Sequence, residues 1–362
     1  MADQPVVGMV GAGQLARMTQ QAAISLGLSL QLLAEEPTDG AALVTPDVMI
    51  GAPDDADVLR RFAKGCDVVT FDHEHVPNEL VAALERTGVA VHPGAAALRF
   101  AQDKRAMRQR LGELGLPVPR WSDDPAALPR PYVAKAVRGG YDGRGVWFVD
   151  DGDPLPGIDL IVEERVSLVH ELAVQVARTP SGDTRCWPVV ETVQRDGICV
   201  EVVAPAPRLS PALAVEAERI AVTLANELGV VGVMAVELFE APSGLLINEL
   251  AMRPHNSGHW TIEGSLTSQF QQHLRAVLDW PLGETRPLAP VTVMVNLLGG
   301  EHTDLAANLP RALAAVPSAS VHLYGKSPRP GRKLGHVTAM GDDLVEVRDR
   351  AREAVEILRG ES

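Results

Sequence analysis

The chain has 362 residues, enough for two or three packed domains, and 46% of them are apolar while 22% are charged. A formal net charge of −14 disfavours general binding to nucleic acid or to an anionic membrane, because both would repel the protein. Cys66, Cys186 and Cys199 have neither metal-binding nor disulfide spacing. The N-terminus shows no secretory signal, and no apolar run approaches the roughly 20 residues that span a bilayer. We therefore expect a cytoplasmic protein.

The N-terminal part shows short apolar runs separated by helical spacing. Residues 6–10 predict a buried strand, residues 14–26 a helix and residues 28–33 a second strand. This order is typical of a doubly wound sheet. A further predicted strand, residues 67–71, is followed by the charged segment 72–75, which includes Glu74. Because ligands of such sheets bind at the carboxyl ends of strands, this segment is a candidate site.

The turn after the first predicted strand reads Gly11-x-Gly13-x-x-Ala16 and fits a dinucleotide-binding fingerprint, with Glu35 and Glu36 about 20 residues later. Two glycines allow a tight turn whose N–H groups can face any phosphate or carboxylate. We favour a simple βα turn or a substrate-phosphate site. An NAD-dependent oxidoreductase remains the alternative from a different class.

A charged helix is predicted over residues 100–114, followed by a strand that ends at Lys135. A lysine at that position suits nucleotide phosphates. The loop over residues 139–145 contains four glycines, which give mobility and exposed N–H groups. Its side chains Tyr141, Asp142 and Arg144 can close over a substrate, so a lid is favoured over a solvated hairpin.

Two acidic residues interrupt strongly apolar strands near residue 240. Glu237 and Glu249 lie on opposite sides of the short turn at residues 242–244, which predicts a β-hairpin. Burying unpaired carboxylates costs several kcal/mol, so two acids facing one point indicate a bound cation. Oxygen ligands alone favour Mg²⁺, with Mn²⁺ also suitable.

Two further segments carry charge near the predicted metal pair. Arg253 follows Glu249 closely and could neutralise two mutually repelling anions. His255 and His259 have i, i+4 spacing, but the intervening Asn-Ser-Gly is a poor helix, so a zinc site is disfavoured. Arg332 and Lys333 lie in a Gly- and Pro-rich basic segment that is either a small phosphate site or an exposed turn.

Five motifs together carry a resemblance that extends over nearly the whole chain. They are GAGQLARM from Gly11, GGYDGRG from Gly139, LINEL from Leu246, HNSGHW from His255 and RPGRKLGH from Arg329. With these motifs in this order, the chain resembles the 5-(carboxyamino)imidazole ribonucleotide synthases, a family of ATP-grasp enzymes of purine biosynthesis. Two departures stand out, because Gln194 replaces a histidine of some members and Met252 replaces a usual proline.

The resemblance implies an α/β protein, α+β in its C-terminal part, with the ATP-grasp fold. It implies an N-terminal Rossmann-like subdomain over residues 1–98, a central lid over 99–168 and a C-terminal subdomain over 169–362, with ATP between the last two. The implied reaction is ATP-dependent carboxylation of aminoimidazole ribonucleotide by bicarbonate, through carboxyphosphate. The nearest alternative within the fold is a formate-dependent ribonucleotide transformylase.

The resemblance also implies the site residues. The metal would be held by Glu237 and Glu249. The catalytic residues would be Arg253, Asp142, His255 and Asn256, with Asp142 or the released phosphate as the base. The ribonucleotide would contact Gln14, Glu74, Tyr141, Arg144, Arg332 and Lys333. The ATP contacts would be Arg99, Lys135, Gly140, Tyr141, Asp142, Gly143, Arg144, Gly145, Glu163, Glu164, Val166, Glu171, Gln194, Asn248 and Glu249.

The implied cofactors are ATP and Mg²⁺, or Mn²⁺ in its place, without biotin. The resemblance suggests a homodimer. Because the chain ends after one C-terminal helix, we expect a separate mutase to use the product. We expect neither nucleic acid nor a membrane among the partners.

Overall fold

The structure is a computed structural model that describes residues 4–140, 143–300 and 303–361. Two predicted site residues, Tyr141 and Asp142, lie outside the described residues. Within the described ranges, no helix has both the length and the apolar composition required to cross a bilayer.

The N-terminal part contains a parallel four-stranded sheet with strand order β3-β2-β1-β4. The predicted strand–helix–strand opening is confirmed, while β3 was not predicted. The elements are β1 Val7–Val10, α1 Gln14–Ser25, β2 Leu30–Ala34, β3 Asp47–Ile50, α2 Ala56–Ala63, β4 Val68–Phe71, α3 Asn78–Arg86, α4 Ala95–Gln102 and α5 Lys104–Glu113.

The single helix predicted over residues 100–114 is wrong, because α4 and α5 are separate. Asp103 between them has extended backbone angles (φ −134°, ψ 104°). Its carboxylate accepts a hydrogen bond from the backbone N–H of Ala106, 2.9 Å away, and so caps the start of α5. The break places Lys104 in the first turn of a new helix.

The middle of the chain forms a small antiparallel sheet with strand order β5-β8-β6-β7. Lys135 lies near the end of β6, and the glycine loop connects β6 to β7, as predicted. The strands are β5 Trp121–Ser122, β6 Tyr132–Ala136, β7 Val146–Val149 and β8 Leu160–Glu164.

The C-terminal half contains a nine-stranded sheet in which β14-β13-β9-β11-β12-β15-β17-β16 are neighbours and β10 pairs with β9. Its elements are β9 His170–Arg178, β10 Thr184–Cys186, β11 Val190–Arg195, β12 Ile198–Ala204, α6 Pro211–Glu227, β13 Gly232–Ala241, β14 Gly244–Ala251, α7 Thr261–Gly264, α8 Gln269–Val277, β15 Val291–Leu298, α9 Leu305–Ala315, β16 Ser320–Leu323, β17 Lys333–Gly341 and α10 Leu344–Arg359. All of these strand pairs are antiparallel.

Helices α6 and α10 cover this sheet with small and branched apolar side chains. Ala217, Ile220, Ala221 and Leu224 of α6 are fully buried. They belong to the same apolar cluster as β9 and β13 side chains. Because aromatic residues are scarce, the core consists mainly of close-packed Ala, Val and Leu side chains.

Strands β13 and β14 form the predicted hairpin, and a β-bulge interrupts their pairing. Glu237 pairs with Glu249, but the next residue, Leu238, pairs with Ile247. Asn248 is therefore the extra residue on β14. A bulge changes the direction of a side chain, which explains how the consecutive residues Asn248 and Glu249 both reach the same cleft.

Candidate active-site cleft

A cleft of about 1790 Å³ lies where the three sheets meet. Most of the predicted site residues line it. They are Gln14, Glu74, Lys135, Gly140, Gly143, Arg144, Glu163, Glu164, Val166, Glu171, Gln194, Glu237, Asn248, Glu249, Arg253, His255, Asn256, Arg332 and Lys333. The fold therefore brings together residues that lie more than 300 positions apart in the sequence.

The fold does not bring Arg99 or Gly145 to the cleft lining. Arg99 is exposed on α4, and its guanidinium lies 4.9 Å from the centre of the Phe100 ring. Gly145 leaves the glycine loop close to Ala136. Lys104, five positions after Arg99, does line the cleft, because α5 starts in a new direction after Asp103.

Glu237 and Glu249 face each other across β13 and β14, and each has a neighbouring side chain that can donate a hydrogen bond to it. Lys104 Nζ lies 2.6 Å from Glu249 Oε1, and His255 Nε2 lies 3.1 Å from Glu237 Oε1. The Glu249 side chain is 40% exposed and the Glu237 side chain is 29% exposed, so both are accessible from the cleft. Burial raises the pKa of Glu237, but His255, Lys333 and Lys104 outweigh burial and lower it.

This arrangement fits a hard divalent cation. Two carboxyl groups on adjacent strands, with the Asn248 amide beside them, offer the oxygen donors that Mg²⁺ prefers. Partial exposure leaves room for phosphate and water ligands, which Mg²⁺ usually keeps. The donor chemistry therefore agrees with the metal set predicted from the sequence.

A second carboxylate, Glu163, lies in a closed network beside this pair. Its two oxygens contact Arg108 Nε at 2.6 Å and Lys135 Nζ at 2.7 Å. Burial raises the pKa of Glu163, yet the charges of Lys135 and Arg108 lower it to about 2. Asn248 joins the network through its side-chain oxygen, 2.8 Å from Lys135, and its carbonyl, 2.7 Å from Arg108. The Glu163 carboxylate is thus saturated by protein groups.

Glu171 is a further acid on the cleft wall. It lies on β9 opposite Phe239 of β13. Burial and the nearby charge of Glu237 raise the pKa of Glu171 to about 7, against the opposing effect of Lys135. A carboxyl group with such a pKa can donate as well as accept a hydrogen bond near neutral pH.

Arg253 forms an ion pair with Glu74, which lies after β4 of the N-terminal sheet. The Glu74 carboxylate lies 3.4 Å from Arg253 Nε and accepts a hydrogen bond, 2.5 Å long, from the backbone N–H of Met252. The segment after β4 thus contacts the residues that follow β14. Both Glu74 and Arg253 line the cleft.

His255 lies between Glu237 and the buried side chains of Ser257 and Gln175. The Ser257 backbone N–H and hydroxyl lie 3.4 and 2.8 Å from His255 Nδ1, and Gln175 Nε2 lies 2.7 Å from the same hydroxyl. Because a backbone N–H can only donate, Nδ1 accepts and Nε2 carries the proton toward Glu237. The imidazole is therefore fixed as a donor to the predicted metal ligand.

The basic segment also reaches the cleft. Arg332 Nη1 donates to the carbonyl of Ser327 at 3.2 Å, which closes the segment into a compact turn. Lys326 hydrogen-bonds the side-chain oxygen of Gln14 at the start of α1. Arg332 and Lys333 both line the cleft. The first helix and the basic segment therefore meet at one end of it.

The Gly11-x-Gly13 turn holds a protein carboxylate. Asp72 Oδ2 accepts a hydrogen bond, 2.5 Å long, from the backbone N–H of Gly13. A Cβ on Gly11, whose φ is +101°, would collide with Asp72, and one on Gly13 would lie 2.8 Å from it. Burial raises the pKa of Asp72. The glycines thus make space for Asp72, at the position where a dinucleotide-binding turn would accept a phosphate.

Lys104, Arg108 and Asp72 were missed as site residues from the sequence. Lys104 and Arg108 have i, i+4 spacing in a helix with many charges, a pattern that is usually a solvated face. Here they point inward, and Arg108 is fully buried. Asp72 was noted only as part of a charged segment, since its partner Gly13 lies 59 positions away.

Three protein-family models match the chain along its length. The ribonucleotide synthetase preATP-grasp domain matches residues 5–102, and the ATP-grasp domain matches residues 110–270. The phosphoribosylaminoimidazole carboxylase C-terminal domain matches residues 292–350. The predicted ATP-grasp fold is confirmed.

Curated and solved relatives agree with these matches. N5-carboxyaminoimidazole ribonucleotide synthase of Mycobacterium tuberculosis is 54% identical, over 96% of this chain and 86% of the relative. The crystal structure of the Thermus thermophilus synthetase is 36% identical with a TM-score of 0.88, covering 97% of this chain and 98% of that chain. The Aspergillus clavatus enzyme, solved with ADP and 5-aminoimidazole ribonucleotide, is 30% identical with a TM-score of 0.89 and 99% coverage of each chain. This chain belongs to the N5-carboxyaminoimidazole ribonucleotide synthase family.

Proposed function

We propose that this chain is an ATP-dependent carbon–nitrogen ligase of purine biosynthesis that carboxylates the exocyclic amine of 5-aminoimidazole ribonucleotide. The second substrate is bicarbonate, and the products are N5-carboxyaminoimidazole ribonucleotide, ADP and phosphate. The observation that carries this function is one continuous cleft. It joins the facing pair Glu237 and Glu249 to Arg253, which is held by Glu74 of the first domain.

The nucleotide end of the cleft lies between the small sheet and the hairpin of β13 and β14. We assign Lys104 and Lys135 to the ATP phosphates, since both ammonium groups face the cleft beside the acidic pair. Glu237 and Glu249 would hold Mg²⁺, which would neutralise phosphate charge. Glu163 acts through Lys135, because its carboxylate already binds two cations. We also assign to ATP the other predicted ATP-binding residues that line the cleft.

Bicarbonate would bind beside Arg253, His255 and Asn256. A bicarbonate oxygen attacks the γ-phosphorus of ATP, the bond to the ADP oxygen breaks, and carboxyphosphate forms. Both reactants are anions, so the Arg253 guanidinium lowers their repulsion and aligns them. Its contact with Glu74 limits its movement and orients it.

Carboxyphosphate then releases CO₂ and phosphate next to the ribonucleotide. The amine nitrogen attacks the carbon of CO₂ and loses a proton to Asp142 or to the released phosphate. Arg332 and Lys333 would bind the phosphate of the ribonucleotide at the end of the cleft that contains Gln14. Closure of the glycine loop would keep water from the labile intermediate.

An oxidoreductase that uses a nicotinamide cofactor is disfavoured by a specific contact. The Gly13 N–H that would bind a dinucleotide phosphate donates instead to Asp72. A bound dinucleotide would have to displace this buried carboxyl group from the Gly13 N–H. The division into domains at residues 98 and 168, a homodimer, a cytoplasmic location and use of the product by a separate mutase remain predictions.

The function is tested by ADP release from Mg-ATP, with bicarbonate and the ribonucleotide each omitted in turn. We expect ADP release to require the ribonucleotide or to be strongly increased by it. With ¹³C-labelled bicarbonate, the label should appear in the carboxylate of the product. If ADP release does not depend on the ribonucleotide but increases with formate and another amine, the substrate assignment is wrong. The ATP-grasp fold would be unaffected by that result.

A further inference from the structure

Gln269, the first residue of α8, is fully buried behind the segment that contains His255 and His259. Its side-chain oxygen accepts a hydrogen bond from the backbone N–H of His255 at 2.9 Å. Its side-chain nitrogen donates to the backbone carbonyl of His255 at 2.8 Å and lies 3.0 Å from His259 Nδ1. One amide group therefore contacts both ends of this segment.

These contacts determine the tautomer of His259. A backbone N–H can only donate and a carbonyl can only accept, so the two bonds to His255 fix which atom of the Gln269 amide is nitrogen. The second N–H of that nitrogen then faces His259 Nδ1. Nδ1 must accept, and the imidazole carries its proton on Nε2.

The Nε2–H group of His259 is a buried donor. His259 is fully buried and lines the cleft, and its Nε2 has no hydrogen-bond partner among the described residues. The ring packs between Phe270 and His336, at centre distances of 5.6 and 5.1 Å. An unpaired buried donor is costly unless a ligand or water accepts its hydrogen bond.

The local packing is built around the Gln269 side chain. A Cβ on Gly258 would collide with the Gln269 amide, so only glycine fits at that position. The hydroxyl of Thr261 accepts from the Gln269 backbone N–H at 2.9 Å and donates to the Gly258 carbonyl at 2.6 Å. The segment from His255 to Thr261 is thus fixed to the start of α8 at several points.

We propose that Gln269 is a positioning residue for the ligase reaction. It holds the backbone of His255 in place and fixes His259 as the Nε2–H tautomer, so that a preorganised donor lies in the cleft wall behind the bicarbonate site. This inference rests on the proposed function, because it assigns the segment a role in that reaction. Gln269 itself acts through the two histidines.

The same helix provides a matched control. Gln272 is equally buried, and its amide also binds both backbone groups of one residue, since it accepts from Gly283 N–H at 2.8 Å and donates to Gly283 C=O at 2.9 Å. Gln272 does not line the cleft, and these two bonds involve no histidine. A purely structural role for such an amide would therefore give the same result at both positions.

The first measurement is the ¹⁵N spectrum of histidine side chains in the wild-type protein near neutral pH, with the His259 signals assigned by their loss in His259→Asn. We expect a protonated Nε2 and a bare Nδ1. A protonated Nδ1 in the wild-type protein would overturn the proposal, whether or not any Gln269 variant folds.

The second measurement compares Gln269→Glu with Gln272→Glu in ADP release and thermal unfolding. A carboxylate at 269 cannot donate, so His259 should take a proton on Nδ1 and kcat should fall about 10- to 100-fold, with little change in KM for ATP. Gln272→Glu should leave the His259 signals unchanged and reduce kcat far less. Gln269→Met removes the bonds without adding charge and serves if Gln269→Glu does not fold.

Equal losses of kcat in the two glutamate variants, at equal stability, would also overturn the proposal. Failure of the proposed function has a different result, since the wild-type protein would then show no release of ADP that depends on the ribonucleotide. The tautomer is decided by the spectrum in either case.

Discussion

Two carboxylate–cation clusters lie side by side on the cleft wall and differ in how completely the protein neutralises them. Glu163 is 2% exposed and binds both Arg108 and Lys135. Glu237 and Glu249 are partly exposed; Glu237 accepts a hydrogen bond from His255, and Glu249 forms an ion pair with Lys104. Buried charge that is fully paired gives fixed geometry, whereas partly exposed carboxylates can still bind a metal.

The difference shows that residue type alone does not identify a catalytic acid. All three glutamates lie on apolar strands beside a lysine or histidine, and all were predicted as site residues. Their exposure and the number of cations around each distinguish a scaffold from a ligand site. The same Glu→Gln substitution should therefore affect mainly activity in the partly exposed cluster and mainly stability in the closed cluster.

The largest effect is expected for Glu249→Gln in the partly exposed cluster. The amide keeps the shape but removes a charge needed to hold Mg²⁺, so ADP release should fall about 10³-fold or more, while stability changes by less than about 1 kcal/mol. Steady-state ADP release and thermal unfolding measure the two quantities.

The control for this variant is Glu240→Gln in the same hairpin. Glu240 pairs with His170 at 2.8 Å and does not line the cleft, so its loss should change turnover only a few-fold. If Glu249→Gln and Glu240→Gln lower turnover equally, the facing acidic pair is not a metal site.

The next effect is expected for Glu163→Gln in the closed cluster. Removing this charge leaves Lys135 and the fully buried Arg108 without their anion, and breaking such a pair costs about 3 to 5 kcal/mol. Urea unfolding measures the loss. Glu164→Gln is the matched control, because the adjacent carboxylate pairs with the exposed Arg120 and should matter by under about 1 kcal/mol.

Equal stability losses at 163 and 164 would mean that the closed network does not support the fold. A Glu163→Gln protein that is stable but inactive would instead place Glu163 among the groups that touch ATP, as the sequence predicted.

The hairpin that pairs Glu237 with Glu249 was predicted correctly, because its signal is local. Acids that interrupt apolar strands on both sides of a short turn indicate a shared site, and the hairpin pairs Glu237 with Glu249. Local apolar runs also predicted strands β1, β2, β4 and β6 and the doubly wound opening of the chain. Both glycine-rich segments were also located correctly as turns or loops after strands.

The sequence failed where the partners are distant or where a helix changes direction. Arg108 looks like a surface residue until α5 is seen to pack against Glu163, 55 positions later. One continuous helix was predicted where the Asp103 cap turns the chain, and that turn brings Lys104 rather than the predicted Arg99 to the cleft. Asp72 could not be linked to Gly13 by any local pattern.

The smallest effect is expected at Glu171, a cleft-wall acid that belongs to neither cluster. Its pKa is about 7 in the folded protein and near 4.5 in an unfolded chain. Between these values the folded state binds more protons than the unfolded state, so the contribution of Glu171 to stability falls as pH rises through this window. Burial and the charge of Glu237 cause this shift.

Glu171→Gln cannot ionise and should lose that pH dependence. Relative to the wild-type protein, the variant should gain on the order of 1 kcal/mol in unfolding free energy between pH 5 and pH 8, measured by urea unfolding without ligands. Groups that do not interact with Glu171 titrate equally in both proteins, so the difference between the two curves reports the ionisation of Glu171 and its coupling to Glu237. Parallel curves would mean that Glu171 ionises freely, and the acidic wall of the cleft would then carry one more negative charge at neutral pH to repel ATP and bicarbonate.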